Sequence, residues 1–148
     1  MDKAKSAELL IQLYDLRRET TMREARNWIG TFFPKSAEEL SNTMMDPDVG
    51  GYLRMVISYW DMACSFVNHG AIDREMFNDV SGEFLFVYCK IRSFIPEIRE
   101  MYDSPEWMAH FEKVVEGMPG SAERIEKMES WMKDFEAQMT EQASGQAG

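Results

Sequence analysis

The sequence predicts an all-α bundle of five or six helices with two long central helices. Three observations predict it. Apolar residues recur at three- and four-residue intervals along most of the chain, and no sustained apolar/polar alternation marks a strand. Proline, glycine and capping residues interrupt that pattern where helices should end and restart. The 148 residues, 45% hydrophobic and 28% charged, fit one soluble globular domain. A chain of that length buries roughly 68–70% of its unfolded surface, enough for one core without staples.

The first helix is expected over residues 5–31. Leu9, Leu13 and Leu16 set an apolar stripe, which Met22, Ala25, Ile29 and Phe32 continue with an offset. Glu19 and Arg23 have the favourable order for an i,i+4 pair. After the break at "FFPKSAEEL", Ser36 caps a short helix with Glu39 at the capping-box position. "MDPDVGG" opens the next, with Asp46 as N-cap and Pro47 at N1. Gly50 and Gly51 permit close packing there. Residues 48–68 are apolar on most sides, which places this helix at the centre of the bundle.

Asp73 caps a short helix over residues 73–80, and Gly82 interrupts the chain. Residues 83–102 read as the second central helix, packed on the first and kinked at Pro96. Ser104 and Pro105 restart a helix that turns Trp107, Met108, Phe111, Val114, Val115 and Met118 inward. Ser121 caps the last one. The domain is expected over residues 1–139, with residues 140–148 a disordered polar tail.

The net charge is −10. Residues 1–30 carry six basic and five acidic groups, whereas residues 103–148 carry four and ten. An acidic chain lacks the clustered Lys and Arg that nucleic-acid backbones and anionic membranes require, so neither partner is expected. The most apolar stretch contains Arg54 and Asp61, so no membrane insertion is expected. No secretory signal is visible, and Cys64 and Cys89 lie in apolar runs as reduced core thiols. A cytoplasmic location is expected.

Chemistry finds little to stand on. There is no Glu-x-x-His, no HExxH, no nucleophile elbow and no phosphate-binding loop. Glu106 and His110 share a solvated helix face. No metal, no cofactor and no catalytic residue is expected, and the chain is read as a non-enzyme. "FVNHGAIDREMF" reads as a corner: His69 ends a helix, Gly70 takes the left-handed position, and Asp73 is the next N-cap. Ile72 and Phe77 are placed as a hydrophobic staple.

Function can hide in three places. Arg54, Ser58, Asp61, Ser65 and Asn68 are spaced 4, 3, 4 and 3 and form one polar line. That line is either the exposed seam of a buried helix or an inward row paired with Arg92, Arg99 or Glu97. In the second case Trp60, Asp61, Tyr88, Arg92 and Arg99 line a ligand pocket between the central helices. In the last helix Ile125, Met128, Met132, Phe135 and Met139 form a stripe spaced 3, 4, 3 and 4, which either lies on its own domain or is left for a partner helix. The cluster Arg17, Arg18, Arg23 and Arg26 either receives a phosphate or an acidic partner or pairs with Glu19 and its neighbours. The leading expectation is a protein-interaction or assembly module that self-associates; the alternative is a small-ligand sensor.

Three stretches together resemble the bacterial family known as domain of unknown function 4760: "LIQLYDLRRE" with "TMREARNWI", "YWDMACSFVNHGAIDREMF", and "FIPEIREMYDSPEWMAHFEKV". The resemblance covers about residues 9–115 and implies an all-helical domain. Many family members carry an N-terminal membrane-tethering helix, and no such tether is expected here. The resemblance implies no activity.

Overall fold

The computed structural model of the chain describes residues 2–80 and 82–147. Met1 and Ser81, within the expected domain, and Gly148 of the expected tail lie outside the described residues. Helices account for all of the regular structure described. They are α1 (Lys3–Leu16), α2 (Thr20–Ile29), α3 (Ala37–Met44), α4 (Gly50–Asn68), α5 (Arg74–Val80), α6 (Gly82–Ile91), α7 (Ile95–Met101), α8 (Ala109–Gly117) and α9 (Ser121–Ala147). A 3-10 turn, Arg92–Phe94, joins α6 to α7.

The expected first helix is two. Glu19 leaves helical geometry and its carboxylate accepts the Met22 amide at 2.9 Å, capping α2 instead of pairing along one helix with Arg23. The offset between the two apolar stripes is the trace of this break. Leu13, Met22, Ala25 and Ile29 are buried, while Leu16 is 54% exposed at the junction.

Local capping chemistry sets several other boundaries. Ser36 Oγ accepts the Glu39 amide at 3.0 Å, and Glu39 returns to the amide of Lys35 at 2.8 Å, one residue off a strict capping box. Asp46 Oδ1 accepts from the amides of Asp48 and Val49, so it caps a turn that precedes α4. Gly50 opens α4 where a Cβ would lie 2.5 Å from the Met44 carbonyl oxygen. Gly51, by contrast, meets nothing closer than the Arg54 guanidinium at 4.0 Å, so only the first glycine serves close packing.

The corner after α4 forms as its sequence predicts. Gly70 has φ +80°, Asp73 Oδ2 accepts the Met76 amide at 2.9 Å, and Ile72 and Phe77 are fully buried. The amide of Asp73 donates to Ser6 Oγ at 3.0 Å, which ties α1 to this corner and explains a completely buried serine.

Proline 96 bends the chain through a change of helix type. Having no N–H, it cannot bond to the carbonyl one turn earlier, and the Arg92–Phe94 segment tightens to 3-10 geometry ahead of it. The expected central pair is corrected as a result. α4 packs chiefly against α8 and α2 and only lightly against α6, and α6 packs chiefly on α9. α8 also starts later than "DSPEW" suggests. Ser104 forms a turn with Trp107, and α8 begins at Ala109 after Met108 adopts a left-handed φ of 58°. Met108, Phe111, Val114, Val115 and Met118 are buried as expected, and Trp107 is half-buried. Finally, α9 continues through Ala147, with residues 140–145 exposed.

Candidate functional site

The polar line of α4 splits in two. Arg54 and Ser58 are exposed, while Asp61, Ser65 and Asn68 are half-buried. The inner half does not meet Arg92, Arg99 or Glu97. Asp61 Oδ1 accepts the Phe111 amide at 3.0 Å. Asn68 Nδ2 donates to the His110 carbonyl at 3.2 Å, and its oxygen accepts from Arg74 at 3.0 Å. The two histidine rings of the chain meet at this seam, 5.6 Å apart. Met108, the residue preceding α8, offers no side-chain cap, and Asp61 supplies the missing acceptor from a neighbouring helix. Its charge also suits the positive end of α8.

Of the other residues expected at a central pocket, Tyr88, Arg92 and Arg99 tie helices together. Tyr88 donates to Glu116 at 3.0 Å, and burial pushes its phenol up. Arg92 reaches Glu129 at 3.0 Å and Glu116 at 3.6 Å. Arg99 donates to the Trp107 carbonyl at 2.9 Å and to Glu112 at 3.2 Å, holding the turn before α8. Of the five predicted ligand residues, one, Trp60, the residue before Asp61 on α4, lines a different opening, and the other four do not.

That opening is an apolar cleft of about 370 Å³ between α1, α4 and α5. Ala7, Leu10, Ile11, Leu13, Tyr14 and Arg17 line it from α1, Tyr59 and Trp60 from α4, and Met76, Phe77 and Val80 from α5. Helical spacing puts the α1 residues on one face: 7, 10, 11, 14 and 17 recur at three- and four-residue steps. The floor is rigid. The Trp60 indole packs edge-on against Tyr59 at 4.9 Å and Phe77 at 6.4 Å, and tilted against Phe84 at 6.2 Å. The Tyr59 hydroxyl donates to the Leu13 carbonyl, and burial pushes that phenol up to about 12.

Arg17 closes one end. Its guanidinium lies 5.4 Å from the ring centres of both Tyr14 and Trp60, a cation–π arrangement. Glu83 holds it at 3.5 Å and holds Arg26 at 2.9 Å. Two members of the arginine cluster thus pair within the chain, with Glu83 in place of the expected Glu19. Trp60 Nε1 and Arg17 Nε are buried without a hydrogen-bond partner among the described residues. Three of the cleft's lining residues are exposed: Ile11 at 69%, Tyr14 at 59% and Val80 at 62%. The sequence reading found Trp60 but missed the α1 and α5 walls. Ile11, Tyr14 and Val80 carried the signal, as apolar residues outside the packed stripe of their helices.

The α9 stripe is largely occupied by its own fold. Ile125 and Met132 are buried, and Met128, Phe135 and Met139 are half-buried. Phe135 stacks on Trp131 at 5.2 Å and faces Phe33 at 6.3 Å. Cys64 and Cys89 are free and buried, and burial pushes the Cys89 thiol up to about 12 and that of Cys64 further. Among the described residues no cluster of three or more His, Cys, Asp or Glu is arranged to hold a metal ion. No described helix is long and apolar enough to cross a membrane.

A family model described as Domain of unknown function (DUF4760) matches residues 4–118. The match takes in every residue of the cleft and stops before α9. No curated protein and no solved structure matches the chain. The chain belongs to the DUF4760 family.

Proposed function

We propose that this domain is a non-catalytic binding module whose ligand is a small apolar molecule seated between α1, α4 and α5. One observation carries the reading: an apolar recess of about 370 Å³ is lined by Trp60, Tyr59 and Phe77, whose rings pack edge-on around Trp60. Recesses of roughly 300–1,000 Å³ with apolar walls and few polar groups are the usual form of a ligand site. The unpartnered N–H groups of Trp60 and Arg17 add a polar end, so the favoured ligand is an aromatic or short aliphatic body with one hydrogen-bond acceptor. Trp60 links this site to the sensor alternative read from the sequence.

The test uses 1-anilinonaphthalene-8-sulfonate, an aromatic body with one anionic end. It should bind the folded protein with a micromolar dissociation constant. Filling the cleft with Leu10→Trp should weaken binding at least about tenfold while circular dichroism stays unchanged. Equal binding by the filled variant would remove the cleft as the site.

The exposed rim favours a second reading, a protein-interaction or assembly module. Ile11, Tyr14 and Val80 form an apolar edge of the kind a second copy or a partner helix covers. If so, the protein self-associates at tens of micromolar in sedimentation velocity, and Ile11→Asp with Val80→Asp returns it to monomer. A protein that is monomeric before either substitution rules out self-association through this edge.

A further inference from the structure

Arg17 is the one charged residue that lines the apolar cleft between α1, α4 and α5, and its charge is only partly met inside the fold. Its side chain is 15% exposed. Among the described residues Glu83 is the only carboxylate that salt-bridges it, through one amino group at 3.5 Å. Glu83 is committed elsewhere: both of its oxygens accept from Arg26 Nε, at 2.9 and 3.1 Å. The Arg17 guanidinium instead lies between two rings of the cleft, 5.4 Å from the centre of buried Trp60 and 5.4 Å from that of exposed Tyr14. Its Nε–H has no acceptor among the described residues, and neither has the indole N–H of Trp60, a residue only 2% exposed. Buried donors are nearly always paired with protein, water or a bound group. Two orphans in residues that line one recess therefore point to an acceptor that occupies it.

We propose that the ligand of this cleft is a monocarboxylic acid with an aromatic or short aliphatic body, its carboxylate held by Arg17 and Trp60. The assignment rests on the cleft being the ligand site. The donors set the class. The Nε–H of an arginine and the amino N–H beside it form a fork that matches the two oxygens of a carboxylate. The Trp60 indole only donates, so it suits an acceptor and gives nothing to a cationic headgroup. A carboxylate has about four lone-pair sites and can take all three N–H groups at once. Charge sets the rest. With Glu83 still 3.5 Å from Arg17, the guanidinium balances one added negative charge and not two, which favours a carboxylate over a phosphate. The other lining residues are apolar or tyrosine, so an acid has one place for its headgroup and lays its body against the rings of Trp60, Tyr59 and Phe77. Apolar walls also strengthen the ion pair, because charges attract more strongly where water is excluded.

The probes are 3-phenylpropionate and its uncharged amide, titrated into the full chain by isothermal calorimetry at pH 7. The acid should bind about tenfold or more tightly than the amide, the margin of charge-assisted over neutral hydrogen bonds. Arg17→Met keeps an apolar stem and removes the guanidinium, so it should bring the acid down to the level of the amide and leave the amide unchanged. Glu83→Gln removes the competing carboxylate and should tighten the acid several-fold but not the amide; it decides the matter if Arg17→Met fails to fold. An acid that does not outbind the amide, whether both bind equally or neither binds, overturns the carboxylate. The cleft itself then stands if 1-anilinonaphthalene-8-sulfonate still binds and Leu10→Trp still weakens it, and falls if not.

Discussion

At the scale of single residues, adjacent glycines carry opposite consequences. A Cβ at Gly50 would lie 2.5 Å from the backbone oxygen of Met44, and neither helix end can yield cheaply. Gly50→Ala should therefore destabilise by about 1–3 kcal/mol, the usual cost of overpacking. Gly51 faces open space, so Gly51→Ala should be neutral or stabilise by up to about 1 kcal/mol through helix propensity. Urea denaturation of the two variants checks both signs. Equal effects would mean that the α3–α4 contact is not tight. Sequence showed two glycines at a helix start but not which one touched a neighbour, because that depends on the path of a preceding helix.

Helices whose ends are capped by their own residues were legible. Ser36, Asp73 and the left-handed Gly70 behave as their spacing implies, because a cap acts over three or four residues. The start of α8 was not legible, because its acceptor comes from Asp61, fifty residues earlier in the chain. Ser104 and Pro105 make a plausible local start, and the tertiary cap overrides it. The same bond explains the misread polar line: half of it faces water and half serves another helix. Asp61→Ala should cost about 1–2 kcal/mol, as for other N-caps. Asp61→Asn keeps an acceptor oxygen and should lose less, about 0.3–1 kcal/mol, through the missing charge at the helix end. A thermal-denaturation series should rank wild type, Asn and Ala in that order. The cleft was legible only through Trp60, since a recess arises from three helices that pass without filling the space between them.

For the molecule as a whole, Lys90 ties stability to pH. Its folded value lies near 7 against an ordinary 10.5, so between those values the unfolded chain binds the extra proton. Stability therefore rises as pH increases through that window. Tyr59 acts oppositely: its phenol is raised to about 12 from 10.0, so the folded state keeps that proton and stability falls once pH exceeds the unfolded value. The raised thiols of Cys64 and Cys89, ordinarily at 9.0, act in the same direction. Comparison with Lys90→Met, which keeps both cysteines, isolates the lysine between pH 7 and 9. There the wild type should gain on the order of 2 kcal/mol relative to Lys90→Met, measured as the change in unfolding free energy. Parallel pH profiles for the two proteins would show that Lys90 stays charged when folded. Its position was visible in the sequence as one cation inside "FLFVYCKI", yet nothing local showed whether the head group reached water.

The bond from Asp61 to Phe111 has a kinetic consequence. A helix that borrows its first acceptor from a distant segment gains that stabilisation only once the segment has arrived. Formation of α8 and its docking on α4 should then be one event in folding, with no separate early step for the shorter helix. In reverse, hydrogen exchange at the first amides of α8 should share the opening rate of the central α4 amides, so that this pair of helices comes apart together or not at all.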